Sequence, residues 1–233
     1  MKAQRLRFRY RLTDAALNLG HRDIVNGWIG AVTAAGCQVT LSEGKRPSPQ
    51  VSLGAPLPAG VTSDCEFVDV FLAEPVAPAS VLAGVRDRLP SGIEAVSVAE
   101  TSVGGSSLQA ELRWAEYEVA VPRDGLSRAD IEAKVATMLS AHEMLVERER
   151  EKGVKRFDLR PLVLDVRLLC EDEGSFTLRL RLRAEANHTA RADDTIAALG
   201  LPPATRTHRV RLHLEEIPAI IAAYRRHGEP DRV

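Results

Sequence analysis

The sequence predicts an α+β protein of two similar lobes with mostly antiparallel sheets. Three observations carry this: strict two-residue alternation in several segments, apolar stripes at helical spacing between them, and a repeat of the element order after a small-residue stretch near the middle of the chain.

The first strand is the clearest. Arg5, Arg7, Arg9 and Arg11 alternate with Leu6, Phe8, Tyr10 and Leu12, giving one basic and one apolar face. A helix follows from His21 to Ala35, because Ile24, Val25, Trp28, Ile29 and Val32 form an apolar stripe and Gly36 stands where a capping glycine belongs. Short strands are expected at Gln38–Leu41, Gln50–Gly54 and Glu66–Ala73. Pro75 and Pro78 then open a second helix through Val81, Leu82, Val85 and Leu89, and a strand at Ile93–Val98 closes the lobe. This order is that of a split βαβ, or ferredoxin-like, unit.

Residues 101–111, with Thr101-Ser102-Val103-Gly104-Gly105-Ser106-Ser107 at their start, read as a linker between lobes at 1–100 and 112–233. The second lobe begins with a strand at Tyr117–Val121. Ser127 and Asp130 form a capping box before a helix carrying Ile131, Val135, Met138 and Leu139. A hairpin turns near Lys152-Gly153, with a second arm at Phe157–Leu169. Leu178, Leu180 and Leu182 alternate with Arg179, Arg181 and Arg183. A short helix at Asp193–Leu199, a strand at Arg209–Leu214 and a terminal helix at Ile217–Arg226 complete the reading. The two lobes are thus expected to be tandem ferredoxin-like units, related by element order and not by residue identity.

Composition narrows the functional classes. The 233 residues are 45% hydrophobic and 27% charged, as in ordinary globular proteins, and only 4% aromatic, so the cores must be built from aliphatic side chains. A net charge of -1 gives no global attraction to nucleic acid or anionic membrane. The N-terminus lacks the apolar run of a secretory signal, and no stretch approaches the roughly 20 apolar residues of a membrane span, which points to the cytoplasm. Cys37, Cys65 and Cys170 are dispersed and read as thiols of a reducing compartment. They form neither a zinc spacing nor the three-cysteine cluster of a radical enzyme's iron–sulfur site, so no metal or cofactor is expected.

Four groups of residues carry candidate chemistry. Arg5, Arg7 and Arg9 on one strand, Arg179, Arg181 and Arg183 on another, and Arg209, Arg211 and His213 on a third each line one sheet face. Two readings stand. Arg5, Arg7, Arg9, Arg179, Arg181 and Arg183 bind a phosphate backbone, since arginine donates in a planar fork. Otherwise the arginines pair with Glu111, Glu116, Glu118, Glu147 or Glu149 on neighbouring strands. The His21-Arg22-Asp23 triplet either brings an imidazole and a carboxylate together for a ligand, or uses Asp23 to offset the helix dipole. In the loop Ser42–Gln50, Gly44 and two prolines hold Lys45 and Arg46 outward for an anionic ligand, or merely stiffen a strand connection. Asp158 and Arg160, read as one strand face, pair with each other or together orient a ligand. No nucleophile elbow, dinucleotide fingerprint or kinase set is present.

These stretches resemble the radical-SAM-linked domain family, a bacterial family of unknown function. Its marks are a basic first strand, an HLD segment, a YS-x-G-F-N-P-x-P loop, a PLP-x-G-V-x-S stretch and a DLRP segment. Here they read Arg5–Tyr10, His21-Arg22-Asp23, Leu41–Pro49, Pro56–Ser63 and Asp158-Leu159-Arg160-Pro161. Arg22 replaces the Leu of HLD, Lys45-Arg46 replace Phe-Asn, and Asn26 and Ala34 stand where the family's first helix carries arginines, marking a divergent member. The resemblance implies a ligand site at His21, Asp23, Glu43, Lys45, Arg46, Ser63, Asp158 and Arg160. It also implies a partner, a separate radical S-adenosylmethionine protein, beside which the chain serves as a non-catalytic accessory that presents a substrate, RNA being the expected one. An endoribonuclease using His21 as general base and a purely structural partner docking through its sheet edges are the competing expectations.

Overall fold

A computed structural model describes residues 2–150 and 153–215. The expected terminal helix at 217–226 and Lys152 of the expected turn lie outside the described residues. The chain divides into two compact units, Met1–Leu112 with Leu214 onward, and Arg113–His213.

In the first unit β1 (Gln4–Leu12) is central, with β3 (Val61–Leu72) and β4 (Ile93–Thr101) antiparallel on its two sides and β2 (Val51–Leu53) antiparallel on the far side of β3. The two-residue period puts Leu6, Phe8, Tyr10 and Leu12 on one face, where they are buried. That face is covered by α1 (His21–Ala34) and α2 (Pro78–Arg86), which pack side by side. Ile24, Trp28, Ala31 and Val32 of α1 and Val81 and Val85 of α2 enter the core with Val68, Val70 and Leu72 of β3. Trp28 sits 4.9 Å from Phe8 and 5.4 Å from Tyr10, ring centre to ring centre. Gly36 ends α1 at a φ of +83°, the left-handed turn expected of it.

Two expectations change here. Gln38–Leu41 is not a strand; it makes only the bridges Val39 to Leu72 and Leu41 to Pro49. Residues 102–111 do not hang free either. Ser107 caps the short helix α3 (Leu108–Glu111), Leu108 is fully buried, and Gln109 donates to Ser52 Oγ at 2.8 Å and to the Leu53 carbonyl. The small residues of this stretch let it lie close against the sheet.

In the second unit β5 (Leu112–Pro122) and β9 (Ser175–Glu185) pair antiparallel, β8 (Val163–Glu171) pairs antiparallel with β9, and β11 (Arg206–Leu214) lies beside β5. Ala115, Val119, Val121, Phe176, Leu178, Leu180 and Leu182 are buried. Ile131 and Met138 of α4 (Arg128–Ser140) and Ile196 of α5 (Ala192–Ala198) are buried as well. Ser127 Oγ accepts from the Asp130 N–H and Asp130 accepts from the Ser127 N–H at 2.8 Å, the reciprocal cap read from the sequence. The hairpin forms as β6 (Leu145–Arg150) and β7 (Gly153–Asp158), a separate two-stranded sheet. Its second arm does not run on to Leu169, because Arg160–Leu162 make a turn of 3-10 helix and Pro161 has no N–H for a ladder. The two-residue β10 (His188–Thr189) pairs with the end of β9. The architecture is mixed α+β with mostly antiparallel strands.

Candidate ligand-binding site

Of the arginine rows, Arg5, Arg7, Arg179, Arg181 and Arg183 have guanidinium groups paired with carboxylates. In the first unit Arg7 stands directly opposite Asp69 of β3, and Arg5 is diagonal to it. Arg5 and Asp69 are 2% and 1% exposed, so both charges are out of water. Arg5 donates to Asp69 through Nε at 3.0 Å and through Nη2, and its Nη1 donates to the Ser102 carbonyl at 3.2 Å. Arg7 donates to Asp69 Oδ1 at 2.8 Å and Oδ2 at 3.1 Å, and to Glu111. Burial pulls the Arg7 pKa down, but the bonds and charges of Asp69 and Glu111 outweigh it and hold the group above its ordinary value. The phosphate role expected of Arg5 and Arg7 gives way to an internal one, because their forks are filled. Arg9 is half-buried, and its Nε–H has no partner among the described residues.

Two arginines of the second unit's row pair across strands and the third pairs along its own. Arg179 pairs with Glu118 and Arg181 with Glu116, each directly opposite across β5 and β9. Arg183 pairs with Glu185 at 2.9 Å and donates to the Pro161 carbonyl at 3.1 Å. All three stay partly exposed, each with its positive charge already beside a negative one. In the third row Arg209 is buried and donates to Tyr117 Oη at 2.9 Å, whereas Arg211 and His213 are exposed.

Asp158 and Arg160 also turn inward. Asp158 Oδ1 accepts from the Met144 N–H at 2.8 Å and the Arg160 N–H at 3.0 Å, and Arg160 donates to the carbonyls of Val163 and Leu139, both at 2.8 Å. They are not on one strand face, because Arg160 lies in the 3-10 turn. Together they tie the base of the hairpin to the end of α4. Ser63 is buried on β3, and its Oγ accepts from the Cys65 N–H at 3.1 Å.

What remains accessible lies at the start of α1 and in the following loop. His21, Arg22 and Asp23 are exposed. Asp23 accepts from the Gly20 N–H at 2.8 Å, the capping reading of that residue. The loop is closed at its neck: the Ser42 N–H donates to the Ser48 carbonyl at 2.8 Å, and the Ser48 N–H to Ser42 Oγ at 3.0 Å. Gly44 turns at a φ of +127°, a conformation that side chains disfavour. Glu43, Lys45 and Arg46 project from this closed loop, all exposed, and among the described residues Lys45 and Arg46 have no carboxylate within ion-pair distance.

The sequence reading missed Trp114. Its indole stacks on the imidazole of His213, with ring centres 4.6 Å apart and planes 10° from parallel, and the Arg181 guanidinium lies 5.0 Å from the indole centre. Trp114 shares the parity of Glu116 and Glu118 on β5, a signal that marks it as a side chain of the charged face. Among the described residues no three His, Cys, Asp or Glu side chains group as a metal set, and no helix is long and apolar enough to cross a membrane.

The chain belongs to the bacterial family described as "Uncharacterized protein conserved in bacteria (DUF2344)", whose sequence model matches residues 5–192. No curated protein matches it. Solved structures similar to it include a chain of a Cbf5-Nop10-Gar1 complex, with a TM-score of 0.49, 14% identity, and 88% of this chain and 49% of that one covered. Another is a chain of an H/ACA RNP bound to a substrate RNA containing 2'-deoxyuridine, with a TM-score of 0.46, 15% identity, and 88% and 47% covered. The chain spans about half the length of these two.

Proposed function

We propose, taking membership of that family of unknown function as the premise, that the chain is a non-catalytic cytoplasmic accessory module. It binds RNA, or another phosphate-bearing ligand, through the loop Ser42–Pro49 and the start of α1. It presents that ligand to a separate radical S-adenosylmethionine enzyme, the partner implied by the resemblance of its motifs.

The single observation that carries the binding reading is the contrast in charge commitment. Arg5, Arg7, Arg179, Arg181 and Arg183 are held by carboxylates, whereas Lys45 and Arg46 stand exposed on a closed loop without one. Exposed, uncompensated cations attract phosphate and release its counterions. In this proposal His21 and Arg22 flank the bound ligand, Glu43 borders it, and Asp23 sets the helix start. Ser63, Asp158 and Arg160 support the scaffold.

Each unit is proposed to be a ferredoxin-like lobe. The support is the order β4-β1-β3-β2 around α1 and α2 in the first, and β11-β5-β9-β8 around α4 and α5 in the second, with the β6–β7 hairpin inserted.

Binding of a labelled single-stranded RNA, followed by fluorescence anisotropy across a salt series, tests the site. Lys45→Ala with Arg46→Ala is expected to weaken binding and to make the log–log salt slope shallower by roughly 1.4, two single-strand contacts' worth. An unchanged affinity and slope would remove the loop from the site. RNA cleavage by the wild type that is lost in His21→Ala would replace the accessory role by an endoribonuclease. Co-purification of a radical S-adenosylmethionine protein with the tagged chain is the matching test of the partner.

A further inference from the structure

We infer that the solvent-side face of the second unit carries a separate platform for one unpaired nucleobase, built from Trp114 and His213 and flanked by Arg211. The inference rests on the reading that RNA is the ligand, but on different residues.

The three groups Arg181, Trp114 and His213 form a column of flat π systems. The indole is covered by the imidazole at 4.6 Å, nearly parallel, and the guanidinium approaches the indole at 5.0 Å. His213 is exposed although its ring is stacked on Trp114, so part of the residue stays open to solvent. A planar heterocycle added there extends the column by one layer. Stacking on such a surface is tolerant of sequence, because every base has a π face, and it requires the base to be out of a duplex.

The charges around the column sharpen the assignment. Glu116 and Glu118 neutralise Arg181 and Arg179, and Glu185 neutralises Arg183. The face therefore has little excess charge with which to hold a run of phosphates. Arg211, two residues before His213 on β11, is exposed, and among the described residues it pairs with no carboxylate. Leu212 between them is buried while Arg211 and His213 are both exposed, which puts this guanidinium on the same side of the strand as the column. One stacking surface with one uncommitted arginine suits one nucleotide of a single strand, and it suits neither a long backbone nor a duplex.

The test follows the full-length protein by NMR while short oligoadenylate is added, and measures affinity by anisotropy in parallel. The His213 ring signals are expected to move upfield by ring current, with the other histidines among the six as internal references. Trp114→Leu is expected to weaken oligoadenylate roughly 5- to 140-fold, the range for loss of one stacked base. Binding of an abasic ribose-phosphate oligomer should be left as it was. His213→Tyr keeps a flat ring and is expected to retain most of the affinity. Unmoved His213 signals at saturation, or undiminished binding by Trp114→Leu, overturns the platform and leaves the loop reading standing. Loss of the loop's salt contribution in Lys45→Ala with Arg46→Ala, with the His213 shift intact, separates the two sites the other way. Failure of the wild type to bind the oligomer overturns both.

Discussion

On β1 two arginines converge on one buried carboxylate; on β9 each arginine takes its own glutamate, Arg179 and Arg181 from the strand beside it and Arg183 from its own strand. Both rows come from the same sequence pattern, an arginine at every second position. They differ in depth. Arg5 and Asp69 are almost fully excluded from water, beneath the segment that carries Ser102 and Glu111, whereas Arg179 and Glu118 keep 25% and 37% of their side chains exposed. In the first case every donor has to find an acceptor within the protein, because a buried unpaired charge is costly. In the second, water can stand in for a partner. The same residue type is thus a structural clamp at one site and a weakly held surface pair at the other.

The largest expected consequence is at Asp69. Asp69→Ala leaves Arg5 buried without its counter-charge and should cost about 3–5 kcal/mol, read as a fall in the urea midpoint. A loss below about 1 kcal/mol would mean that water reaches the guanidinium and that the contrast in depth is false. Next comes Arg7→Lys. A single ammonium cannot reproduce the fork that reaches both oxygens of Asp69 and also Glu111, so a loss of about 1–3 kcal/mol is expected. Glu118→Ala, the surface counterpart, is expected to cost about 0–1 kcal/mol, with a difference from wild type that shrinks in high salt.

The smallest effect belongs to exposed carboxylates held by hydroxyl and backbone donors. The Ser127 hydroxyl and N–H hold Asp130 below the ordinary aspartate value of 3.8, and the N–H groups of Gly174 and Ser175 with the Ser175 hydroxyl do the same for Asp172. A carboxylate whose folded pKa is depressed stabilises the fold above its unfolded value and loses that contribution as pH falls through the folded one. Asp172→Asn should therefore lower the thermal midpoint slightly at neutral pH, and the difference from wild type should vanish on acidification below the aspartate range. A difference that grows in acid would reverse the assignment.

Much of this molecule was legible in its sequence, and for local reasons. Alternation marked β1 and β9, an apolar stripe marked α1, and the Ser127–Asp130 pair marked the start of α4, since each depends on neighbours a few residues away. The failures also have local causes. Gln38–Leu41 has strand composition but finds only single bridges, and Pro161 cuts a segment that alternation alone would carry on to Leu169. In the proposed site, the exposure of Lys45 and Arg46 fits a glycine and two prolines in their own loop. Trp114 went unread because its parity with Glu116 and Glu118 marks the face it takes but not the imidazole it stacks on, which comes from a strand about a hundred residues away.

By itself, then, the sequence determined most strands and helices and which side of β1, β5 and β9 is charged, because chain geometry fixes side-chain direction at periods of 2 and 3.6 residues. Only the tertiary structure decided what those charges do. Asp69 lies 64 residues from Arg5, Glu116 lies 65 from Arg181, and His213 reaches Trp114 from a strand at the other end of its unit. Register between distant strands and the burial around them choose the partner, and a guanidinium with a buried carboxylate partner is no longer available to a ligand.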